Sequence, residues 1–282
     1  MPPAEPDACI PLTRRRLLGA GIGLGTLGVL PGHAAAALRN AEAVDWIPPE
    51  DFLADLPRQM RALGVPGIGM AVVERGEPVW SRGFGVVHAG RGTPIADTTL
   101  FEVASLSKPV FAYLALQLVD RGELSLDRPL VEYLRPGYLG NGPWVDAITA
   151  RDVLRHSTGL PDWRKDPAHE PLVPAVAPGV RIDYSGEAFV WLQLAVEAIT
   201  GESLVASMQR LLFGPAGMRD SSYAWSPELA ARSVYGHGPP GAKGMPPQML
   251  REQWQAAQVV AERHGQSLKD WRYADAEAAL PE

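Results

Sequence analysis

The sequence predicts an α+β domain, with one β-hairpin near its start and a long helical region after it. Two observations carry this. Ile68 to Val73 is a short apolar run, Arg75-Gly76-Glu77 is a turn, and Val79 to Val87 returns as a second strand. Beyond residue 100, apolar residues recur at helical spacing in segments divided by Gly and Pro, and no later stretch reads as a strand pair. A hairpin alone is marginal in water, so these two strands need further strands or a covering layer.

The elements follow in order. Asp51 to Leu63 reads as an amphipathic helix with Phe52, Leu56, Met60 and Leu63 on one side, ended by Gly64 and Pro66. After the hairpin, residues 88–100 are loop-like. Val110, Leu114 and Leu118 repeat at i+4 and predict a helix from Ser105 to about Arg121, closed by Gly122. Asp127-Arg128-Pro129 starts a helical turn through Leu134, and Thr149 caps a short helix through Arg155. Residues 161–180 are Pro-rich and predict an irregular loop. Glu187–Thr200 and Glu202–Phe213 are two helices split at Gly201, and a last helix runs from about Met249 to Arg263.

Residues 1–36 read as a twin-arginine-type export signal. Arg14-Arg15-Arg16 precedes a mild apolar stretch, Leu17 to Leu30, and Ala34-Ala35-Ala36 offers a small-residue cleavage site. That stretch holds five glycines and is too short to span a bilayer, so no stable membrane span is expected. The expected location is periplasmic or secreted. The lone Cys9 lies ahead of the apolar stretch and would leave with the signal. A disulfide framework, thiol catalysis and thiolate metal sites are therefore excluded. Six scattered histidines without H-E-x-x-H spacing argue against a zinc enzyme, so no metal and no organic cofactor is expected. The formal charge is −6, and residues 1–36 hold a net +1, which leaves −7 for the rest. With no basic run beyond the N-terminus, nucleic acid is a poor candidate partner.

Ser105 and Lys108 carry the chemistry. Three residues apart at a helix start, they place a hydroxyl and an amine one turn apart on one face. A serine needs a neighbour to take its proton before it can attack, and a lysine held neutral can do so. With 13 serines and 4 lysines, random placement gives roughly 0.2 such pairs, so the spacing alone leaves open a capping serine beside a surface lysine. The flanks favour the reactive reading. With Ser105 as N-cap, Pro109 falls where its missing N–H has no intrahelical partner anyway. The Ser105 N–H would then sit at the positive end of the helix dipole, where an oxyanion is stabilised. Tyr184, in Asp183-Tyr184-Ser185-Gly186, stands at another helix entry. By itself it reads equally as a core tyrosine.

Taken together, Ser105-x-x-Lys108, His156-Ser157-Thr158-Gly159-Leu160-Pro161 and Tyr184-Ser185-Gly186 resemble the penicillin-recognising serine hydrolases: class C β-lactamases, D-alanyl-D-alanine carboxypeptidases and related esterases. The resemblance spans about residues 50–225. It implies a β-lactamase-like fold, an antiparallel sheet flanked by helices plus a helical region. Residues 37–282 then form a single, incomplete domain: 37–100 the helix and hairpin, 101–240 the helical region, 241–282 the C-terminal segment. It further implies Ser105 as the acylated nucleophile, Lys108 as its proton acceptor and Tyr184 as the tyrosine of the family's Y-x-N element. The implied substrate is a small ester, amide or β-lactam, including peptidoglycan-derived molecules. Arg155 and His156 match no catalytic position and read as structural.

Two departures are expected to matter. Gly186 replaces the Asn of Y-x-N, which removes an amide that would touch a substrate amide and shifts weight from β-lactams to esters or small amides. The family's third element, K-T-G or H-x-G on a strand edging the site, has no match: Lys243-Gly244 and His264-Gly265 lack a β-pattern, and His237-Gly238-Pro239 sits in a Gly/Pro loop. The expectation is a sheet whose C-terminal strands are missing. The sequence thus predicts an exported serine hydrolase acting through an acyl-enzyme. The alternative is a catalytically impaired relative that binds ligand without efficient turnover.

Overall fold

A computed structural model describes residues 46–167 and 169–238, together with 255, 258, 259, 261–263, 265, 267 and 270–274. Residues 1–36, expected to be an export signal, and the Lys243-Gly244 dipeptide lie outside the described residues. Of the last expected helix, positions 255, 258, 259 and 261–263 are described and are helical.

Helix α1 (Glu50–Leu63) ends where Gly64 takes a left-handed conformation, φ 67°. Only its middle is covered: Leu56 and Met60 are buried, while Phe52 and Leu63 of the expected apolar side stay exposed. The Met60 methyl packs against Gly85, where a Cβ would come within 2.9 Å of it. Strands β1 (Gly67–Glu74) and β2 (Glu77–Gly85) pair antiparallel around Arg75-Gly76, both at positive φ as a tight two-residue hairpin requires. The register shifts between Val72 and Val73, opposite Trp80 and Pro78, so the strand proline sits beside a bulge. The second strand lies two residues earlier than its sequence pattern, starting at Glu77 and ending at Gly85, and Val86 makes only an isolated bridge to Pro94. These two strands are the only sheet among the described residues.

One face of the hairpin is covered by loop 94–101, because it carries glycines where side chains would collide. A Cβ on Gly83 or Gly67 would run into Ile95, and one on Gly69 into the Phe101 ring. Leu100 is then gripped by the segment after the short helix Pro227–Ala231, its N–H bonded to the Arg232 carbonyl and its carbonyl to the Val234 N–H. The chain therefore enters the next helix from a fixed point.

Helix α2 (Ser107–Asp120) buries Phe111, Leu114, Ala115 and Leu118. The expected turn at 127–134 shortens to a 3-10 turn at Leu130–Glu132, because Pro129 is bridged to Thr149 and the Leu130 N–H bonds the Ile148 carbonyl. After α3 (Pro143–Asp146), Thr149 and Asp152 form a reciprocal capping box at the start of α4 (Ala150–Leu154). Helix α5 (Gly186–Thr200) is the centre of the core, with Trp191, Leu192, Ala195 and Val196 fully buried. Helix α6 (Leu204–Met208) runs into a π-turn over Gln209–Phe213, and α7 (Pro227–Ala231) follows, ahead of the helical positions between 255 and 263. Each large aliphatic side chain buried here contributes roughly 1.5–3 kcal/mol relative to exposure. Among the described residues no single helix is long and apolar enough to cross a membrane. Residues 186–200 and 204–213 pass that test only as a pair bent by 76°, and both pack into the core.

Candidate active site

Ser105 is not the N-cap of α2, as the sequence suggested. Residues Ala104–Leu106 form a 3-10 turn and the α-helix begins two residues later, with Leu106 as an N-cap that makes no side-chain cap bond. Ala104 takes φ 43°, a left-handed conformation that costs an alanine about 1–2 kcal/mol. The turn is held from below by Tyr223, whose hydroxyl donates to the Ser107 carbonyl at 2.6 Å, and burial pushes this phenol up to about 12. Freed from capping, the Ser105 side chain faces outward.

The structure brings all three predicted site residues together. The Lys108 Nζ donates to Ser105 Oγ at 3.1 Å, and the Tyr184 hydroxyl donates to the same oxygen at 2.6 Å. The Lys108 ammonium lies 4.7 Å from the Tyr184 ring centroid and 5.6 Å from that of Phe189. Hydrogen bonding from Lys108, then from Ser105, holds the Tyr184 phenol below its ordinary range. Ser105 and Tyr184 are exposed, Tyr184 at 46%, so the cluster forms an open shelf. A groove of about 460 Å³ near the end of α1, lined by Val65, Val86, Phe101 and Tyr235 among others, contains none of the three.

Tyr184 is delivered by the entry to α5. Ser185 caps that helix, its Oγ accepting the Ala188 N–H at 3.0 Å and donating to the Pro161 carbonyl at 2.7 Å. The Asp162 carboxylate accepts the Gly186 N–H at 2.9 Å, and its carbonyl accepts the Glu187 N–H at 3.0 Å. Glu187 is 6% exposed and pairs with Arg164, 9% exposed, at 2.9 Å, tying the Pro-rich loop to the first turn of α5. Gly186 has a packing reason: a Cβ there would lie 2.3–2.7 Å from the Trp163 indole.

His156, read from sequence as structural, touches the site. Its ring stacks on Tyr184 at 4.5 Å and 25°. Neither its spacing nor its neighbours signalled this, since the contact depends on the path of the loop between residues 156 and 184. Among the described residues no His, Cys, Asp and Glu side chains cluster as a metal-binding group.

A serine oxygen shared by an amine and a phenol, at the head of a buried helix, has the arrangement that nucleophilic attack requires, with two groups able to handle its proton. Residues 53–271 match the family model described as Beta-lactamase. The chain belongs to the beta-lactamase family. It is 32% identical over 198 residues to the esterase EstB of Burkholderia gladioli, covering 59% of this chain and 48% of that one. It is 25% identical to the D-alanyl-D-alanine-carboxypeptidase/endopeptidase AmpH of Escherichia coli, covering 70% of this chain and 57% of that protein. Among solved structures it resembles a D-alanine carboxypeptidase AmpC from Burkholderia cenocepacia, with TM-score 0.57, 26% identity and coverage of 70% and 56%. A class C beta lactamase structure matches with TM-score 0.59 at 23% identity, covering 74% of this chain and 65% of that one, a likeness of fold. The chain spans about half the length of the curated relatives it matches.

Proposed function

We propose that this beta-lactamase-family chain is a serine hydrolase working through an acyl-enzyme on Ser105. The observation that carries the reading is the convergence of Lys108 and Tyr184 on one serine oxygen. With the phenol ionised, the 2.6 Å contact reverses: the Ser105 O–H donates to Tyr184, and Lys108 stays as the charge beside both oxygens. Oγ attacks the carbonyl carbon and its proton passes through the Tyr184–Lys108 pair to the leaving oxygen or nitrogen as that bond breaks. Water then attacks the acyl carbon, gives its proton to the same pair, and Ser105 is restored. Ser105 precedes α2, which supports its N–H as one donor to the oxyanion.

Esters and small amides fit better than β-lactams. The Trp163 indole occupies the space over Gly186, so no side-chain amide stands there to meet a substrate amide. The EstB relative, named an esterase, supports the same preference. The N-terminal pattern supports export to the periplasm or beyond, with residues 1–36 as signal and 37–282 as one domain.

Ligand binding without efficient turnover is the second reading. It is favoured by the described sheet, whose two strands offer no K-T-G or H-x-G element beside Ser105. The test is incubation with a fluorophosphonate, followed by intact mass and by hydrolysis of a chromogenic ester and a chromogenic cephalosporin. A single adduct with ester turnover supports the hydrolase. An adduct without turnover supports the second reading, and no adduct on Ser105 overturns both.

A further inference from the structure

We infer that His156 is a positioning residue for Tyr184, its imidazole holding the phenol ring in the orientation that delivers its oxygen to Ser105. The inference rests on the acyl-enzyme reading above and adds a residue to the same site.

His156 grips the tripeptide around Tyr184 from three sides. Its ring stacks on the Tyr184 ring at 4.5 Å. Its Nδ1 accepts the Ser185 N–H at 3.2 Å, and its carbonyl accepts the Asp183 N–H at 2.7 Å. The residues before and after Tyr184 are thus pinned by the residue that also flanks its ring. The same imidazole lies 5.1 Å from the Phe189 ring, over which the Lys108 ammonium sits. His156 and Lys108 therefore share two aromatic walls, and moving one wall moves both.

The backbone supports the assignment. His156 takes φ 53°, one of three non-glycine residues at positive φ among those described. Another is Ala104, next to Ser105, so two of the three flank this site and the third is in the hairpin turn. Such strain persists only where the surroundings over-determine it. Because Nδ1 accepts a hydrogen bond, the ring proton sits on Nε2 and the imidazole is neutral. Burial, then the charge of Lys108, push His156 below the ordinary histidine range, against the opposing pull of Asp162. The charged and titratable groups facing it are Lys108 on α2, Tyr184 and the Asp162 carboxylate. A protonated ring would turn an N–H toward the Ser185 N–H and add charge beside Lys108.

Three variants of the full chain separate the contributions. His156→Phe keeps a stacking ring without the acceptor. His156→Asn keeps an acceptor and suits the left-handed backbone, but gives up the stack. His156→Ala loses both. The readouts are the rate of Ser105 acylation by a fluorophosphonate, kcat and KM on a chromogenic ester, and the ionisation of Tyr184 by ultraviolet difference against Tyr184→Phe. Displacement of a positioned group by about 1 Å costs on the order of 10²-fold, so acylation should fall about tenfold or more in the Ala variant, with kcat reduced and KM little changed. The Phe and Asn variants should each recover part of the rate, and the Tyr184 midpoint should rise in all three. If the Ala variant does not fold, the Phe and Asn variants decide. A folded variant with the parent's acylation rate and the parent's Tyr184 midpoint overturns the inference. If the parent itself takes no adduct, the acyl-enzyme reading has failed, and the Tyr184 titration alone decides His156: an unmoved midpoint overturns its role.

Discussion

The Tyr184 hydroxyl lies 2.6 Å from Ser105 Oγ across 79 residues of sequence. Lys108 and Ser105 lower the phenol's pKa from the ordinary tyrosine value, so its ionised form becomes available at lower pH. Acylation of Ser105 should rise with pH as Tyr184 ionises and level off once it has, with a midpoint below about 10. Tyr184→Phe should lose that rise and react about 10²–10⁴-fold more slowly. Labelling rates measured across this range check both, and a flat profile for the parent protein contradicts the role given to Tyr184.

Ser105→Ala should abolish the adduct with fluorophosphonate or penicillin while the melt stays cooperative. An adduct that persists in this variant moves the nucleophile elsewhere.

Lys108→Arg keeps a positive charge but replaces a compact ammonium by a guanidinium that does not deprotonate. Nζ lies 3.1 Å from Ser105 Oγ and over two aromatic faces, a placement that the longer, planar guanidinium does not reproduce. Acylation should fall by about 10²-fold or more, with thermal stability near the parent's. An Arg variant acylating at the parent rate makes Lys108 structural.

The Arg164–Glu187 pair is nearly solvent-free. Glu187→Gln strands a buried guanidinium and should cost about 3–5 kcal/mol by denaturant unfolding. Because Glu187 sits three residues after Tyr184 at the entry to α5, acylation should fall as well. Replacing both partners, with Arg164→Met and Glu187→Leu, should recover much of the stability. If the single variant is as stable as the parent, the pair is not what ties the loop to α5.

Glu197, inside α5, accepts the Leu204 and Ala274 N–H groups at 3.1 and 3.0 Å. Glu197→Ala should cost about 1–3 kcal/mol for each donor left unpaired. Burial raises the pKa of this carboxyl from its ordinary value. Its folded form therefore binds the proton more tightly than the unfolded chain does. The stability it contributes is largest below the ordinary glutamate pKa and declines as pH rises through the raised value. Thermal melts across that window, compared with Glu197→Gln, should show the decline only in the parent.

His156 has the opposite sign. Its folded pKa is lowered, so the unfolded chain takes up a proton first as pH falls. Its contribution is present above about 6.5 and is lost as pH drops through the lowered value. His156→Asn should flatten the acid side of the stability profile, and an unchanged acid limb would show that another group sets it.

Local pattern determined much of this protein. The Arg75-Gly76 hairpin, the Thr149 cap, the Gly201 break and the apolar face of the Leu114–Leu118 helix follow from backbone preferences and side-chain periods, which act over a few residues and can be read within them. Ser105 and Lys108 were legible for the same reason, being one turn apart. Only the tertiary structure decided the rest. It started α2 at Ser107 rather than at Ser105, because Ala104 turns left-handed and releases the serine side chain from capping. It left Phe52 and Leu63 exposed, since packing and not periodicity sets which part of an amphipathic face is covered. It laid Trp163 over Gly186 and stacked His156 on Tyr184, contacts fixed by the path of a Pro-rich loop whose course depends on what it packs against. Spacing in sequence determines which neighbours share a helix face. Which distant side chains share one oxygen is a property of the packed chain alone.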